Sequence, residues 1–177
     1  MTERQEFKVL QKYDDFELRE YLPCVIAEVK VSAQYSTSTS SAFSTLFSYI
    51  SKGNKSSEKI AMTAPVITAQ NAESAELDEW YVSFVMPSGA TFGQLPDPNN
   101  SQVKLRELGN ETCVAKSFRG KATDELSQKI TQELRASASK ANISLSNETR
   151  ICRFDPPFKP GLFQYNEIVI PVYLDAV

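Results

Sequence analysis

Short segments in which apolar and polar residues alternate, or in which β-branched residues cluster, recur along the whole chain and predict β-strands. One apolar segment, Lys59-Ile-Ala-Met-Thr-Ala-Pro-Val66, carries Pro65 inside it. Because a central strand rarely accepts proline, this segment is predicted to be an edge strand, a bulge or a bent strand. The predicted strands comprise residues 16–21, 24–31, 80–86, 103–108, 113–118, 151–155 and 166–174.

Two helices are predicted between these strands. A Ser/Thr-rich run at residues 36–41 can cap the N-terminus of the first helix, and Gly53-Asn54 is typical of its C-terminal end. Thr123 can cap the second helix. Each helix is predicted from apolar residues at helical spacing, which form one stripe. These residues are Phe43, Leu46, Phe47 and Ile50 in the first helix and Leu126, Ile130 and Leu134 in the second.

The order strand, strand, helix, strand, strand occurs twice along the chain, and the two halves also share short strings. Leu18-Arg19-Glu20 precedes Cys24-Val-Ile-Ala, and Leu105-Arg106-Glu107 precedes Cys113-Val-Ala. A matched order of elements together with matched strings indicates an internal duplication.

Pairing two such halves about a pseudo-two-fold axis would bury the open face of each. The sequence thus predicts an α+β fold, with a curved antiparallel sheet or distorted β-barrel and one flanking helix for each ββαββ repeat. Residues 1–177 are expected to form a single domain, with repeats at about 7–87 and 101–175. A cleft between helix and sheet is the expected place for a small ligand.

The 177-residue chain has the composition of an ordinary globular protein, with 41% hydrophobic and 23% charged residues. A net charge of −3 and a pI of about 5.2 argue against a nucleic-acid partner, since nucleic-acid-binding proteins usually have a basic face. No segment approaches the ~18 consecutive apolar residues of a membrane span. The N-terminus has no apolar signal core, so a cytoplasmic location is expected, or an organelle if a transit peptide has been removed.

The chain contains no histidine and three cysteines, Cys24, Cys113 and Cys152. The absence of histidine excludes a Ser-His or Cys-His triad, a histidine base, and imidazole ligands for zinc or haem. The cysteines are widely spaced and form no Cys-x-x-Cys pair, so they are interpreted as buried thiols in a reducing compartment. No dedicated metal site is expected.

Several strings occur in an order that resembles one protein family. They are FELREYLP, FSYISKGNKSSEKIAMTAPV, VSFVMP, FRGKATDELSQK, RFDPPF and YNEIVIPV, and K-I-x-M-T-A-P-V is the most specific element. From about Phe7 to Tyr173, the chain is similar to the SOUL/haem-binding-protein family. The resemblance implies a distorted antiparallel β-barrel of two pseudo-repeats with two flanking helices, related to the GyrI-like ligand-binding domain.

The resemblance also implies non-covalent binding of haem or another tetrapyrrole, such as a porphyrin, in a shallow apolar groove near the first helix. Some family members use the histidine of an Arg-His-Tyr string as an axial iron ligand, and Glu20 takes its place here in Arg19-Glu20-Tyr21. The expected function is thus a tetrapyrrole carrier or buffer, not an enzyme, with weak or exchangeable axial ligation. Cysteine, methionine and tyrosine side chains remain possible iron ligands, and none is singled out.

A tetrapyrrole site needs an apolar wall and cations at its rim for the propionates. The wall is interpreted as the stripe of the first helix with two methionines and a tyrosine, and the rim as the lysines after that helix. The stripe can equally be the core face of the helix, and the lysines can simply be solvated. The wall residues are Phe43, Phe47, Ile50, Met62, Met86 and Tyr173, and the rim residues are Lys52, Lys55 and Lys59.

Glu167 is a second candidate site residue. It lies on the last predicted strand, and a carboxylate on a strand that faces a cavity would attract cations or accept hydrogen bonds. In the GyrI-like domains that the chain resembles, the glutamate of a similar Glu-Ile-x-Ile-Pro string lies in the ligand cavity. Two interpretations stay open. Glu167 is either a cavity carboxylate that binds a cationic or neutral amphiphile, or a buried carboxylate paired with an arginine such as Arg19 or Arg106.

Two further functions follow as alternatives. A GyrI-like hydrolase would use Glu167 with Tyr165 or Tyr173 for acid–base chemistry. A protein-interaction module is the third possibility, although no sequence feature indicates a particular protein partner. The Lys59–Val66 segment is interpreted as a bent wall beside the first helix, and Thr63 is not expected to be a nucleophile because no base is evident nearby.

Overall fold

The computed structural model of the protein describes residues 2–32, 35–71 and 79–173. These residues form ten strands, two α-helices and a short 3-10 helix, and the predicted α+β class is confirmed. The helices are α1, Tyr35–Ile50, and α2, Asp124–Lys140, and the 3-10 helix is Gly161–Phe163. The strands are β1 Glu3–Arg4, β2 Phe7–Lys12, β3 Glu17–Tyr21, β4 Cys24–Ser32, β5 Thr63–Asn71, β6 Glu79–Val85, β7 Lys104–Leu108, β8 Glu111–Arg119, β9 Glu148–Arg153 and β10 Tyr165–Pro171.

The strands form one curled sheet, antiparallel except for the short parallel pair β1–β5. The order across the sheet is β2-β3-β8-β10-β9-β5-β6-β4-β7. If β3, β4, β5 and β6 trade places with β7, β8, β9 and β10, respectively, the strand order from β3 to β7 is the same read backwards. The sheet therefore has the pseudo-two-fold arrangement expected from two ββαββ units. The pair β5–β9, with Val66 opposite Arg153, lies at the centre of this arrangement.

Alternate residues of the strands face opposite sides of the sheet, and both sides carry a core. On one side, α1 packs on β4 and β6, and α2 packs on β8 and β10. Leu46 of α1 and Leu134 of α2 are fully buried in these two contacts. A third apolar cluster, which includes Ile26, Cys152 and Val169, lies on the face away from the helices. No helix within the described ranges is long and apolar enough to cross a membrane.

The buried stripe of α1 is rotated relative to the predicted stripe. Tyr49 is part of the core because its hydroxyl donates to the Pro96 carbonyl at 2.7 Å, which satisfies the only polar atom of the side chain. Phe43 is half-buried and contacts Phe84 of β6 at a centroid distance of 5.3 Å, whereas Phe47 is 48% exposed, so these two residues lie at the edge of the contact between helix and sheet. Among residues 39–50, the buried apolar residues of α1 are Ala42, Leu46, Tyr49 and Ile50.

The start of α2 agrees with the prediction. Thr123 is its N-cap, and the Thr123 hydroxyl oxygen accepts a hydrogen bond from the Leu126 backbone N–H at 3.2 Å. Ile130 and Leu134 are buried on the sheet side of the helix, while Leu126 is half-buried.

The Lys59–Val66 segment leads into β5, which pairs with β6 and β9 in the middle of the sheet. The register between β5 and β6 shifts between Thr63 and Val66, so Pro65 falls where the ladder is already irregular and its missing N–H is tolerated. Of the predicted alternatives, the bulge is correct and the edge strand is wrong. The sequence pattern misses β2 because its side chains are exposed throughout and show no alternation.

Candidate ligand-binding site

A cavity of about 520 Å³ lies between the N-terminal half of α1, the start of β5 and the loop that follows β9. Its wall is largely apolar, with Phe43 from α1, Met62 and Val66 from the segment that begins β5, and Ala122 and Phe154 from other elements. We call this space the α1 cavity. Small-molecule pockets usually enclose about 300–1,000 Å³, so the α1 cavity has the size of a ligand site.

Three charged side chains also line the α1 cavity, namely Lys121, Arg153 and Asp155. Asp155 accepts a hydrogen bond from the Tyr165 backbone N–H at 2.7 Å and pairs with Lys159 at 2.9 Å. The Tyr165 N–H, together with Lys159, holds the pKa of Asp155 below its usual value, so this carboxylate is ionised at neutral pH. Lys121 and Arg153 are the cations of the described lining, and Arg153 Nη2 also donates to the Thr68 hydroxyl at 3.3 Å.

Thr63 is another lining residue of the same cavity. The residue is 2% exposed, and its Oγ1 has no hydrogen-bond partner among the described residues. Buried hydroxyl groups are nearly always hydrogen-bonded. The Thr63 hydroxyl is an exception to this rule, and because it is closed off from solvent it does not face the open space of the cavity.

The structure brings part of the predicted apolar wall to the α1 cavity. Phe43 and Met62 line it. The other predicted residues separate into two groups, because positions at helical spacing include some that face the core and some that face solvent. Ile50 and Met86 are buried in the core under α1, whereas Phe47 and Tyr173 are 48% and 58% exposed and do not line the cavity.

The predicted rim lysines lie at the other end of α1, exposed in the turn that follows the helix. The cavity contacts the helix at Phe43. Lys52 follows Phe43 by nine residues, which corresponds to ~13 Å along the helix axis at a rise of about 1.5 Å per residue. Asn54 fixes the turn because its side chain donates to the carbonyls of Tyr49 and Glu58 at 3.0 and 2.8 Å. Lys52, Lys55 and Lys59 therefore do not reach the cavity lining.

Glu167 lies on β10, on the sheet face away from the helices, and is 4% exposed. Arg19 of β3 holds its carboxylate through two hydrogen bonds, Nη1 to Oε1 at 2.9 Å and Nη2 to Oε2 at 2.8 Å. The Tyr165 hydroxyl donates to Oε2 at 2.7 Å. The Arg19 guanidinium also lies over the Phe7 ring, 4.0 Å from its centroid, and donates to the Tyr21 hydroxyl at 3.0 Å.

Arg19 and Tyr165 keep their protons at neutral pH. Burial by itself lowers the pKa of Arg19, but the hydrogen bonds and charges of Glu167 and Tyr21 outweigh burial and raise the pKa above its usual range. Burial, followed by the hydrogen bond to Glu167, raises the pKa of Tyr165 to about 12. Neither Arg19 nor Tyr165 is therefore a base at neutral pH, and both oxygens of Glu167 are engaged.

The cysteines are free thiols, with Cys113 and Cys152 buried and Cys24 partly exposed, so the prediction of three buried thiols is wrong for Cys24. Burial raises the pKa of each thiol, and that of Cys113 to about 12, so all three are protonated at neutral pH. None of them lines the α1 cavity. A protonated thiol away from the cavity is not an iron ligand there.

No cluster of three or more histidine, cysteine, aspartate or glutamate side chains suited to a metal ion occurs among the described residues. Glu20, at the position of the histidine ligand of some relatives, accepts a hydrogen bond from the Asn110 side chain at 3.1 Å and does not line the α1 cavity. Haem iron is usually held by histidine, cysteine, methionine or tyrosine. Met62 is the one residue of these types in the described lining.

No local sequence pattern marks Lys121, Arg153 or Asp155 as site residues. These three residues do lie within the FRGK and RFDPPF strings, which contribute to the family resemblance. Their position beside α1 depends on the pairing of β9 with β5, which sets Arg153 opposite Val66. That pairing joins distant parts of the chain, and no local pattern predicts it.

Comparisons with known proteins agree with this architecture. The profile of a family described as SOUL heme-binding protein matches residues 2–171, while no curated protein sequence matches the chain. Among solved structures, the EcmrR C-terminal domain is similar with a TM-score of 0.70 and 17% identity over 89% of this chain and 96% of that one.

Two further solved structures share the architecture. A hydrolase from Listeria innocua has a TM-score of 0.63 and 14% identity, with 93% and 94% of the two chains covered. SAV2435 bound to tetraphenylphosphonium has a TM-score of 0.54 and 9% identity, with 90% and 94% covered. At such identities the likeness concerns the fold, which is the GyrI-like fold that the sequence predicts.

Proposed function

Because the chain belongs to the SOUL heme-binding family, we propose that it binds haem or another tetrapyrrole non-covalently in the α1 cavity and acts as a cytoplasmic carrier or buffer. The observation that carries this proposal is an apolar cavity of about 520 Å³ with Lys121 and Arg153 in its lining. A tetrapyrrole is a flat apolar ring with carboxylates on one edge. The apolar wall suits the ring, and the two cations suit the carboxylates.

Recognition is expected to depend on shape and charge more than on iron. The chain has no histidine, and Met62, the lining residue of a ligand type, offers a soft thioether that binds haem iron weakly on its own. The axial ligand is thus expected to be weak or exchangeable.

The α1 cavity is a better candidate than the surroundings of Glu167. A cationic ligand at Glu167 would have to displace Arg19, which forms two hydrogen bonds to the carboxylate. A hydrolase would need this carboxylate or a neighbouring tyrosine to exchange protons near neutral pH, and the pKa of Tyr165 is raised to about 12. These contacts favour a structural role for Glu167.

Haemin and iron-free protoporphyrin are expected to bind with dissociation constants within about tenfold of each other, a difference of ~1.4 kcal/mol or less. The reason is that the cavity presents an apolar wall and cations, which contact both compounds equally. Absorbance titration of the purified protein with each compound measures the two constants. Binding of neither compound below ~1 mM, or a ferrous haem spectrum with two strong nitrogen ligands, would contradict the proposal.

Replacing Lys121 by glutamate is expected to weaken porphyrin binding by about tenfold or more, because a charge-assisted hydrogen bond to a carboxylate contributes ~1.5–3 kcal/mol. Lys59→Glu is the matched control, since it makes the same charge change at an exposed lysine beyond the other end of α1. It is expected to leave the affinity unchanged within about twofold. Equal losses in the two variants would show that the carboxylates do not bind beside Lys121.

A further inference from the structure

The loop between β9 and β10 exposes large apolar side chains. Phe158, Leu162 and Phe163 are 88%, 78% and 58% exposed. Phe158 and Leu162 have larger exposed fractions than any other large hydrophobic residue in the described part of the chain. We call residues 155–164 the apolar lip. Such residues favour an apolar environment, and several of them exposed together usually mark a surface that contacts something else.

The apolar lip is an ordered loop, so the exposure of its side chains is built into the fold. The Phe163 N–H donates to the Pro160 carbonyl at 2.9 Å, and the Lys159 N–H donates to the Pro156 carbonyl at 3.1 Å. The Gln164 side chain donates to the Lys159 carbonyl at 2.8 Å. These hydrogen bonds hold the backbone in place while the apolar side chains point away from the protein.

Positive charge surrounds the lip. Arg119 donates to the Phe163 carbonyl at 3.2 Å, and Lys121 packs against Gly161, where an added Cβ would lie 3.2 Å from the Lys121 Cβ. Lys159 lies within the lip and pairs with Asp155. Three cations thus accompany one carboxylate at the lip of a chain whose net charge is −3, so this surface attracts anions.

The lip also forms one side of the α1 cavity, through Asp155, Pro156, Pro157 and Gln164. On the helix side, the Phe43 ring lines the cavity and stacks on the exposed Phe47 at a centroid distance of 5.9 Å. Apolar side chains beside lysine and arginine are the pattern of proteins that rest in the interface of an anionic membrane.

We propose that the apolar lip docks the protein on an anionic lipid bilayer, with Phe158, Leu162 and Phe163 in the interface and Arg119 and Lys121 against the headgroups. A lipid surface fits better than a second copy of this chain, because two identical lips facing each other would bring like charges together. The docking does not depend on the proposed function. If both hold, the α1 cavity lies next to the membrane, where apolar rings partition.

Sedimentation with phosphatidylcholine vesicles that contain about a third phosphatidylserine tests the proposal without any tetrapyrrole. We expect the protein to bind these vesicles, and to bind pure phosphatidylcholine vesicles less. The double variant Phe158→Ser/Leu162→Ser is expected to bind about tenfold or more weakly. Phe92→Ser is the matched control, because Phe92 is 49% exposed in another loop, and its variant should bind as the unmodified protein does.

Thermal melts of both variants check that these exposed substitutions leave the fold intact. The proposal is overturned if the unmodified protein does not bind the phosphatidylserine vesicles, or if the double variant binds them equally well. It is also overturned if sedimentation equilibrium shows self-association that the double variant abolishes, since the lip then contacts a second copy. Haemin titration of the same variants reports separately on the α1 cavity, so the two proposals can fail independently.

Discussion

Replacing Arg19 by methionine is expected to lower the free energy of unfolding by ~3–5 kcal/mol. The substitution leaves the carboxylate of Glu167, which is 4% exposed, with the Tyr165 hydroxyl as its remaining partner of those described above. A buried carboxylate that has lost its cation is far less stable than one in water. Urea-induced unfolding followed by circular dichroism measures the change.

Two variants distinguish this explanation from a general loss of packing. The double variant Arg19→Met/Glu167→Leu removes both charges and is expected to recover most of the loss, because apolar side chains can replace a buried ion pair at little cost. Arg106→Met is the matched control, since Arg106 lies in the repeated Leu-Arg-Glu string but its side chain is 54% exposed in its pair with Glu28. It should cost ~1 kcal/mol or less. Similar losses for the two single variants would refute the role of the buried pair.

Leu46→Ala and Leu134→Ala are each expected to lower the free energy of unfolding by ~2–5 kcal/mol, because both leucines are fully buried beneath a helix. Their effects on ligand affinity should differ. Leu46 anchors α1, which carries Phe43 into the wall of the α1 cavity. Leu134 anchors α2, whose residues do not line that cavity. Porphyrin titration of both variants, under conditions in which each remains folded, measures the difference.

We expect Leu46→Ala to weaken porphyrin binding by about tenfold and Leu134→Ala to leave it nearly unchanged. The matched stability losses make the comparison informative, since a general loosening of the protein would affect both variants alike. Equal weakening in the two variants, or weakening in Leu134→Ala alone, would place the ligand elsewhere.

The elements of the fold could be predicted because their patterns are local. Alternation predicts the strands, and a capping threonine with residues at helical spacing predicts α2. The rotation of α1 could not be predicted in the same way. Tyr49 carries a hydroxyl that appears polar in sequence, and its burial depends on a carbonyl at Pro96, in a distant loop. Phe43 and Phe47 belong to the predicted stripe because they fall at helical spacing with Leu46 and Ile50, and spacing alone does not show where the buried face of the helix is centred.

The candidate site was predictable only where it is local to α1 and the segment that leads into β5. Phe43 and Met62 come from that part of the chain. Lys121 and Arg153 come from other elements, and the pairing of β5 with β9 brings them together. From the sequence, Arg19 and Arg106 were equally suitable partners for Glu167. The strand order decides between them. β3 pairs with β8 beside β10, whereas β7 lies at the far edge of the sheet.

That strand order has a consequence for the ancestry of the protein. β3 pairs with β8 and not with β4, while β7 pairs with β4 and not with β8. The first strand of each ββαββ unit thus pairs with the second strand of the other unit. Neither unit on its own therefore forms a complete four-stranded half of the sheet. Two separate copies of a single unit would build the same sheet by swapping their first strands. The present chain therefore has the form of a strand-swapped dimer of two ββαββ units joined end to end in one chain.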